Sequence, residues 1–130
     1  MDARPVALAC LIAVVALTGC TRGSGEREVR DTLESFADAT ARKDYQRLCD
    51  DLFSKKLVAE VNEQLPCELA LKNSSLGEAR DPKLEVRSVK VEGDTASAVV
   101  RTSAANQPAS EDRVQLVREG QGWRIAALAS

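Results

Sequence analysis

The sequence predicts an α+β domain: N-terminal helices packed on a curved, four-stranded antiparallel sheet. Three observations carry that expectation. Apolar residues recur at three- and four-residue steps as far as about Ser75, the period changes to two from Pro82 onward, and turn signals containing glycine divide the second half into strands.

A leader precedes the first element. Residues Val6 to Leu17 are uncharged and apolar, with Arg4 ahead of them and small Thr18 and Gly19 behind. This run is shorter than the roughly 20 residues that span a bilayer, and it has the length of a signal-peptide core. Leu17-Thr18-Gly19-Cys20 reads as a bacterial lipobox. Residues 1–19 are then a cleaved lipoprotein signal peptide, and Cys20 is the acylated residue, since its sulfur is the nucleophile that takes the diacylglyceryl group. Residues 20–25, containing Gly23-Ser24-Gly25, are expected to form the lipidated cysteine and a flexible tether. The rival readings are a secretory signal cut elsewhere and a membrane helix that stays attached. Two or three acyl chains anchor stably, whereas one chain of about 14 carbons is marginal. The expected location is the extracytoplasmic face of the cell membrane, with the membrane as partner through the lipid.

Cleavage leaves 111 of the 130 residues, enough for one domain over 26–130. Asp2 and Arg4 leave together, so the net charge stays at −2. That mildly acidic balance argues against nucleic acid, which demands a basic patch. The chain has no histidine, and so lacks the commonest metal ligand and general acid or base. Cys10 leaves with the signal and Cys20 is acylated, which leaves Cys49 and Cys67 in an oxidising compartment. A disulfide between them is the expected outcome. The alternatives are a metal pair or a reactive thiol; two cysteines without histidine make a poor metal site. No metal or cofactor is expected.

The first helix should start at Glu26. Val29, Leu33, Phe36 and Thr40, with Ala37, form its apolar stripe, Glu26, Glu28 and Asp31 stand in its first turns, and Arg42 and Lys43 close it. Asp44 restarts the chain as the cap of a second helix whose apolar face is Tyr45, Leu48, Cys49 and Leu52. One straight helix over 49–67 would hold the two sulfurs about 27 Å apart at 1.5 Å per residue, so a bridge requires the chain to turn back. Ser54 is placed to cap a third helix, with Phe53 and Val58 as a hydrophobic staple and Leu57, Val58, Val61 and Leu65 on its apolar side. Pro66 interrupts it, and Cys67 to Lys72 adds a turn or two before polar Asn73-Ser74-Ser75.

In the strand region, Leu84 and Val86 are out of phase with Val89 and Val91, which predicts a bulge near Arg87 or Ser88. Gly93-Asp94 is a hairpin turn, and Ala96, Ala98 and Val100 form the inner face of the return strand. A polar loop is expected from about Ala104 to Asp112. Val114 to Leu116 follows, then a turn at Gly120-Gln121-Gly122 and a last strand from Trp123 to Ala126.

Taken in order, these pieces resemble the nuclear transport factor 2-like superfamily in its small secreted or lipid-anchored bacterial form. The residues concerned are Lys43-Asp44-Tyr45, Leu48-Cys49, Pro66-Cys67-Glu68, the run from Val89 to Val99 with Gly93-Asp94 at its centre, and Gly122-Trp123-Arg124-Ile125. The resemblance spans nearly all of 26–128. It implies a cystatin-like cone, a curved sheet wrapped against a long helix and enclosing a pocket. Trp123 and Ile125 would face that pocket, with Phe36 and Tyr45 as further candidate lining. Enzymes of the superfamily place an aspartate, often with histidine or tyrosine, inside the cone; no acidic residue of this chain matches such a position.

The remaining candidates have structural explanations. Asp50 and Asp51, about 100° apart on a helix, do not address one atom and read as a solvated face. Tyr45 and Trp123 read as packing residues, Asp44 as a cap, and Ser54 lacks an identifiable base. The sequence therefore points to an envelope binding or accessory module for a small apolar ligand or an envelope protein. The alternatives are a small hydratase- or isomerase-like enzyme with an unrecognised carboxylate in the cone, and a structural or sensory domain. Cavity geometry separates the three.

Overall fold

The computed structural model describes residues 21–129. The expected signal peptide and Cys20 lie outside the described residues. Five helical segments precede the sheet: α1 (Thr21–Ala41), α2 (Tyr45–Arg47) running into a π-helical turn (Leu48–Leu52), α3 (Lys55–Val61), α4 (Cys67–Lys72) and α5 (Ser75–Glu78). Strands β1 (Lys83–Glu92), β2 (Thr95–Ala104), β3 (Gln107–Glu119) and β4 (Gly122–Ala129) form an antiparallel meander in the order β1-β2-β3-β4.

Helix α1 begins at Thr21, ahead of the expected start at Glu26, and residues 21–25 of the stretch expected as a tether are helical instead. Packing accounts for the extra turn. Gly25 is buried, and a Cβ there would lie 3.5 Å from Val91 Cγ1, so the early helix rests on β1. The earlier start also leaves no acidic residue in the first turn, so the expected match of charge to helix dipole does not hold there. Arg42, just past the C-terminus, pairs with Asp38 at 3.0 Å. Lys43 takes the left-handed conformation that ends the helix, at φ 55°.

The expected caps are in place: Asp44 accepts from the Arg47 amide at 3.1 Å, and Ser54 from the Leu57 amide at 3.1 Å. Helix α3 ends at Val61, one turn short of Leu65, which is exposed and carries no core contact of the kind expected. Asn62 is the reason for the stop. It is the C-cap of α3, and its side chain accepts from the Cys67 amide at 2.6 Å, bringing the chain round into α4. That turn lets Cys49 and Cys67 form a disulfide across a Cα separation of 6.2 Å. The bridge closes a loop of 18 residues, contributing about 3 kcal/mol in the chain-entropy picture.

Sheet register follows the apolar pattern closely. The register of β1 against β2 shifts between Val86 and Ser88, which returns Leu84, Val86, Val89 and Val91 to one face packed on the core. Further shifts lie between Thr102 and Ala104 and between Gln115 and Leu116, so every strand pair carries the irregularity that bends a sheet. Val29, Leu33 and Phe36 of α1 meet Ala96, Ala98, Val100, Val114, Leu116, Trp123 and Ile125 in one buried cluster.

One expectation fails in this half. Residues 104–112 are not a loop: β2 and β3 pair through Ala104 and Gln107 across a tight turn at Ala105-Asn106. The polar side chains of this hairpin are occupied elsewhere. Asn106 donates to Glu78 O at 2.9 Å and accepts from the Arg80 amide at 2.7 Å, while Gln107 donates to Ser75 O at 2.8 Å. They tie the hairpin to α5 and the segment that follows it.

Candidate functional site

The helices do not fill the whole concave face. Beyond the C-terminal half of α1 lies a cavity of about 330 Å³, bounded by α5, the start of β1 and the far ends of β2 and β3. Its apolar wall includes Phe36, Leu76, Leu84, Val100 and Val114. A volume of this size lies at the lower end of the range for small-molecule sites.

Of the expected lining residues, only Phe36 stands on this cavity. Trp123 and Ile125 are buried at the other end of the concave face, and half-buried Tyr45 packs against the core away from the cavity. That correction has a visible cause. The indole of Trp123 donates to Glu28 Oε2 at 3.1 Å, and Ile125 O accepts from the Ser54 amide at 2.8 Å. Phe53 also forms a parallel bridge to Ile125. The first turns of α1 and the π-helical turn thus occupy that end of the face, and the open space is left at the other.

The cavity carries a carboxylate that the sequence reading missed. Asp112 shares its strand face with Val114 and Leu116, by the two-residue period of β3. It is half-buried, opposite Val100 in the β2–β3 register, and Ser110 stands opposite Thr102. Thr102 Oγ1 donates to Asp112 Oδ2 at 2.5 Å and Ser110 Oγ donates to the same oxygen at 3.0 Å. Asp112 Oδ1 has no partner among the described residues. The available signal was the two-residue step back from Val114, which extends the strand to position 112.

Lys83, exposed at the rim, is the other ionisable residue on the lining. Across the cavity, Thr40 Oγ1 is buried and lacks a hydrogen-bond partner among the described residues. By contrast, Thr32 on the same helix donates to Glu28 O at 3.0 Å. The wall made by α5 is held by Lys43, whose Nζ donates to Gly77 O and to Ala79 O. Among the described residues, no cluster of His, Cys, Asp and Glu could hold a metal ion, and no helix is long and apolar enough to cross a membrane.

The sequence matches no protein-family model and no curated protein. Solved structures do share the fold. An NTF-2-like protein of unknown function from Silicibacter pomeroyi superposes with a TM-score of 0.59 at 20% identity, covering 83% of this chain and 95% of that one. An NTF2-like protein of unknown function from Shewanella baltica gives 0.58 at 12% identity, over 85% and 94%. A SEC-C motif containing protein from Rhodopseudomonas palustris gives 0.53 at 15% identity, over 76% and 75%. The fold is therefore nuclear transport factor 2-like, with helices against an open four-stranded antiparallel sheet.

Proposed function

We propose that this protein is a lipid-anchored, extracytoplasmic binding module of the cell envelope, held by Cys20 and taking a small, mainly apolar ligand. The observation that supports the reading is the cavity of about 330 Å³ between α1 and the concave sheet face, walled chiefly by aliphatic and aromatic side chains. A domain serving only as a scaffold would gain stability by filling that space. Binding to the folded state raises its stability by about 2.7 kcal/mol at a ligand concentration a hundred times the dissociation constant. A thermal-shift screen of small apolar compounds should therefore give saturable increases, and Phe36→Ala should abolish them. A screen without any saturable shift would count against the reading. The anchor has its own test: protein from growing cells should carry fatty acid on Cys20, and globomycin treatment should accumulate the uncleaved precursor.

One observation favours a second reading, a small hydratase- or isomerase-like enzyme. Asp112 puts a carboxylate on the cavity wall, and one of its oxygens has no partner among the described residues and can receive a proton. The lining offers no histidine, tyrosine or second acid to share the work, so non-catalytic binding ranks first. Turnover of a cavity ligand that is lost in Asp112→Asn would reverse that order.

A further inference from the structure

The apolar lining alone does not say which end of a ligand is held. The Asp112 carboxylate does. An ionised carboxylate only accepts hydrogen bonds, and both hydroxyls that Asp112 receives fall on Oδ2. Thr102 and Ser110 are fixed opposite each other by the β2–β3 ladder and lie 3.1 Å apart through their hydroxyl oxygens. They hold the carboxylate in one orientation and leave the acceptor capacity of Oδ1 unused. A half-buried acceptor gains more from a donor than one in open water, because the surrounding dielectric is lower. An anionic head group would meet the same carboxylate as a repulsion. Its one counter-charge on the lining, Lys83, is exposed and carried on a flexible stem.

We propose that the cavity takes an apolar molecule ending in a hydrogen-bond donor, an ammonium or hydroxyl group, which Asp112 Oδ1 receives while the hydrocarbon part lies against Phe36, Leu84 and Val114. This rests on the binding reading above and names the ligand class. Thr102 and Ser110, polar residues of the same lining, are positioning residues: their hydroxyls hold Asp112 Oδ2.

The test uses the full chain in lipid nanodiscs with methyl-labelled leucine and valine, and empty nanodiscs as the blank for partitioning. Cyclohexylmethylamine, cyclohexylmethanol, cyclohexanecarboxylate and the methyl ether of the alcohol share one hydrocarbon body and differ in head group. The amine and the alcohol should shift the Leu84, Val100 and Val114 methyls and bind at least about tenfold tighter than the carboxylate or the ether, the difference one charge-assisted hydrogen bond makes. Asp112→Asn should erase that preference while the ether still binds. Equal affinities for the four probes, tightest binding by the carboxylate, or a preference that survives in a folded Asp112→Asn variant would each overturn the ligand class and leave the binding reading standing. If no probe moves those methyls, the binding reading fails as well. The head-group comparison on the unaltered protein decides the matter even where the variant does not fold.

Discussion

The indole nitrogen of Trp123 donates to Glu28 Oε2 at 3.1 Å, joining the last strand to the first helix across 95 residues of sequence. Arg118 lies over the same ring at 4.6 Å and approaches the same carboxylate oxygen at 3.5 Å. Stacking and hydrogen bonding thus converge on Trp123 of β4, from β3 and from α1. The ion pair itself is partly exposed and adds little.

Glu28→Ala leaves a mostly buried indole N–H without its acceptor, which should destabilise the fold by about 1–2 kcal/mol. Glu28→Gln keeps an acceptor and should cost less than half of that. Trp123 is the only tryptophan, so its fluorescence during urea unfolding reports the change directly. Equal midpoints for the two variants would show that the hydrogen bond contributes nothing.

Reduction of the Cys49–Cys67 bridge, or the double change to serine, should lower stability by about 3 kcal/mol. Denaturant midpoints with and without reductant measure it. Mass spectrometry of protein alkylated under non-reducing conditions should find neither thiol free; two alkylated cysteines would remove the staple.

Thr40→Val should be neutral or stabilising by up to about 1 kcal/mol, because it replaces a buried hydroxyl that has no partner among the described residues with a methyl of similar size. Leu33→Ala, at a fully buried position seven residues earlier on the same helix, should cost about 2–5 kcal/mol. Thermal unfolding of the pair gives the comparison. A Thr40→Val protein that loses more than about 1 kcal/mol would mean that the hydroxyl is in use.

Two glycines should respond oppositely to alanine. At Gly25 the added Cβ meets Val91 at ordinary contact distance, and a glycine inside a helix gives way to a better helix former, so a gain of about 0.5–1 kcal/mol is expected. At Gly77 the Cβ would lie 2.3 Å from Lys72 O and 2.6 Å from Leu71 O, both backbone atoms. Gly77→Ala must therefore push α5 away from α4. It should destabilise by about 2 kcal/mol or more and weaken cavity binding along with it. Calorimetry on both variants checks the signs.

Much of the sheet was legible because burial wrote it into the chain. Leu84 and Val86 falling out of phase with Val89 and Val91 located the bulge, and Ala96, Ala98 and Val100 marked the inner face. The signal faded where burial did. From Gln107 to Asp112 the strand extends past the packed core and most of its residues are exposed, so no apolar alternation announces it. Asp112 was missed for that reason. Helix α5 and the π-helical turn were equally silent. The first is a four-residue segment pinned by Lys43 and Gln107 from distant parts of the chain. The second differs from an ordinary turn only in the reach of its Phe53-to-Leu48 hydrogen bond. The start of α1 was misplaced because its glycines argue locally for flexibility, while contact with Val91 is a tertiary matter.

Because α1 is already helical at Thr21, an acyl group on the preceding residue would be joined to a stiff post and not to a slack cord. Phe36, the nearest cavity residue on that helix, stands about 22 Å further along at 1.5 Å per residue. The hollow is thus at the distal end of the post, beyond the hairpins that crowd its base. The lipid attachment proposed at Cys20 and the hollow would therefore be held apart by the stiffness of one helix.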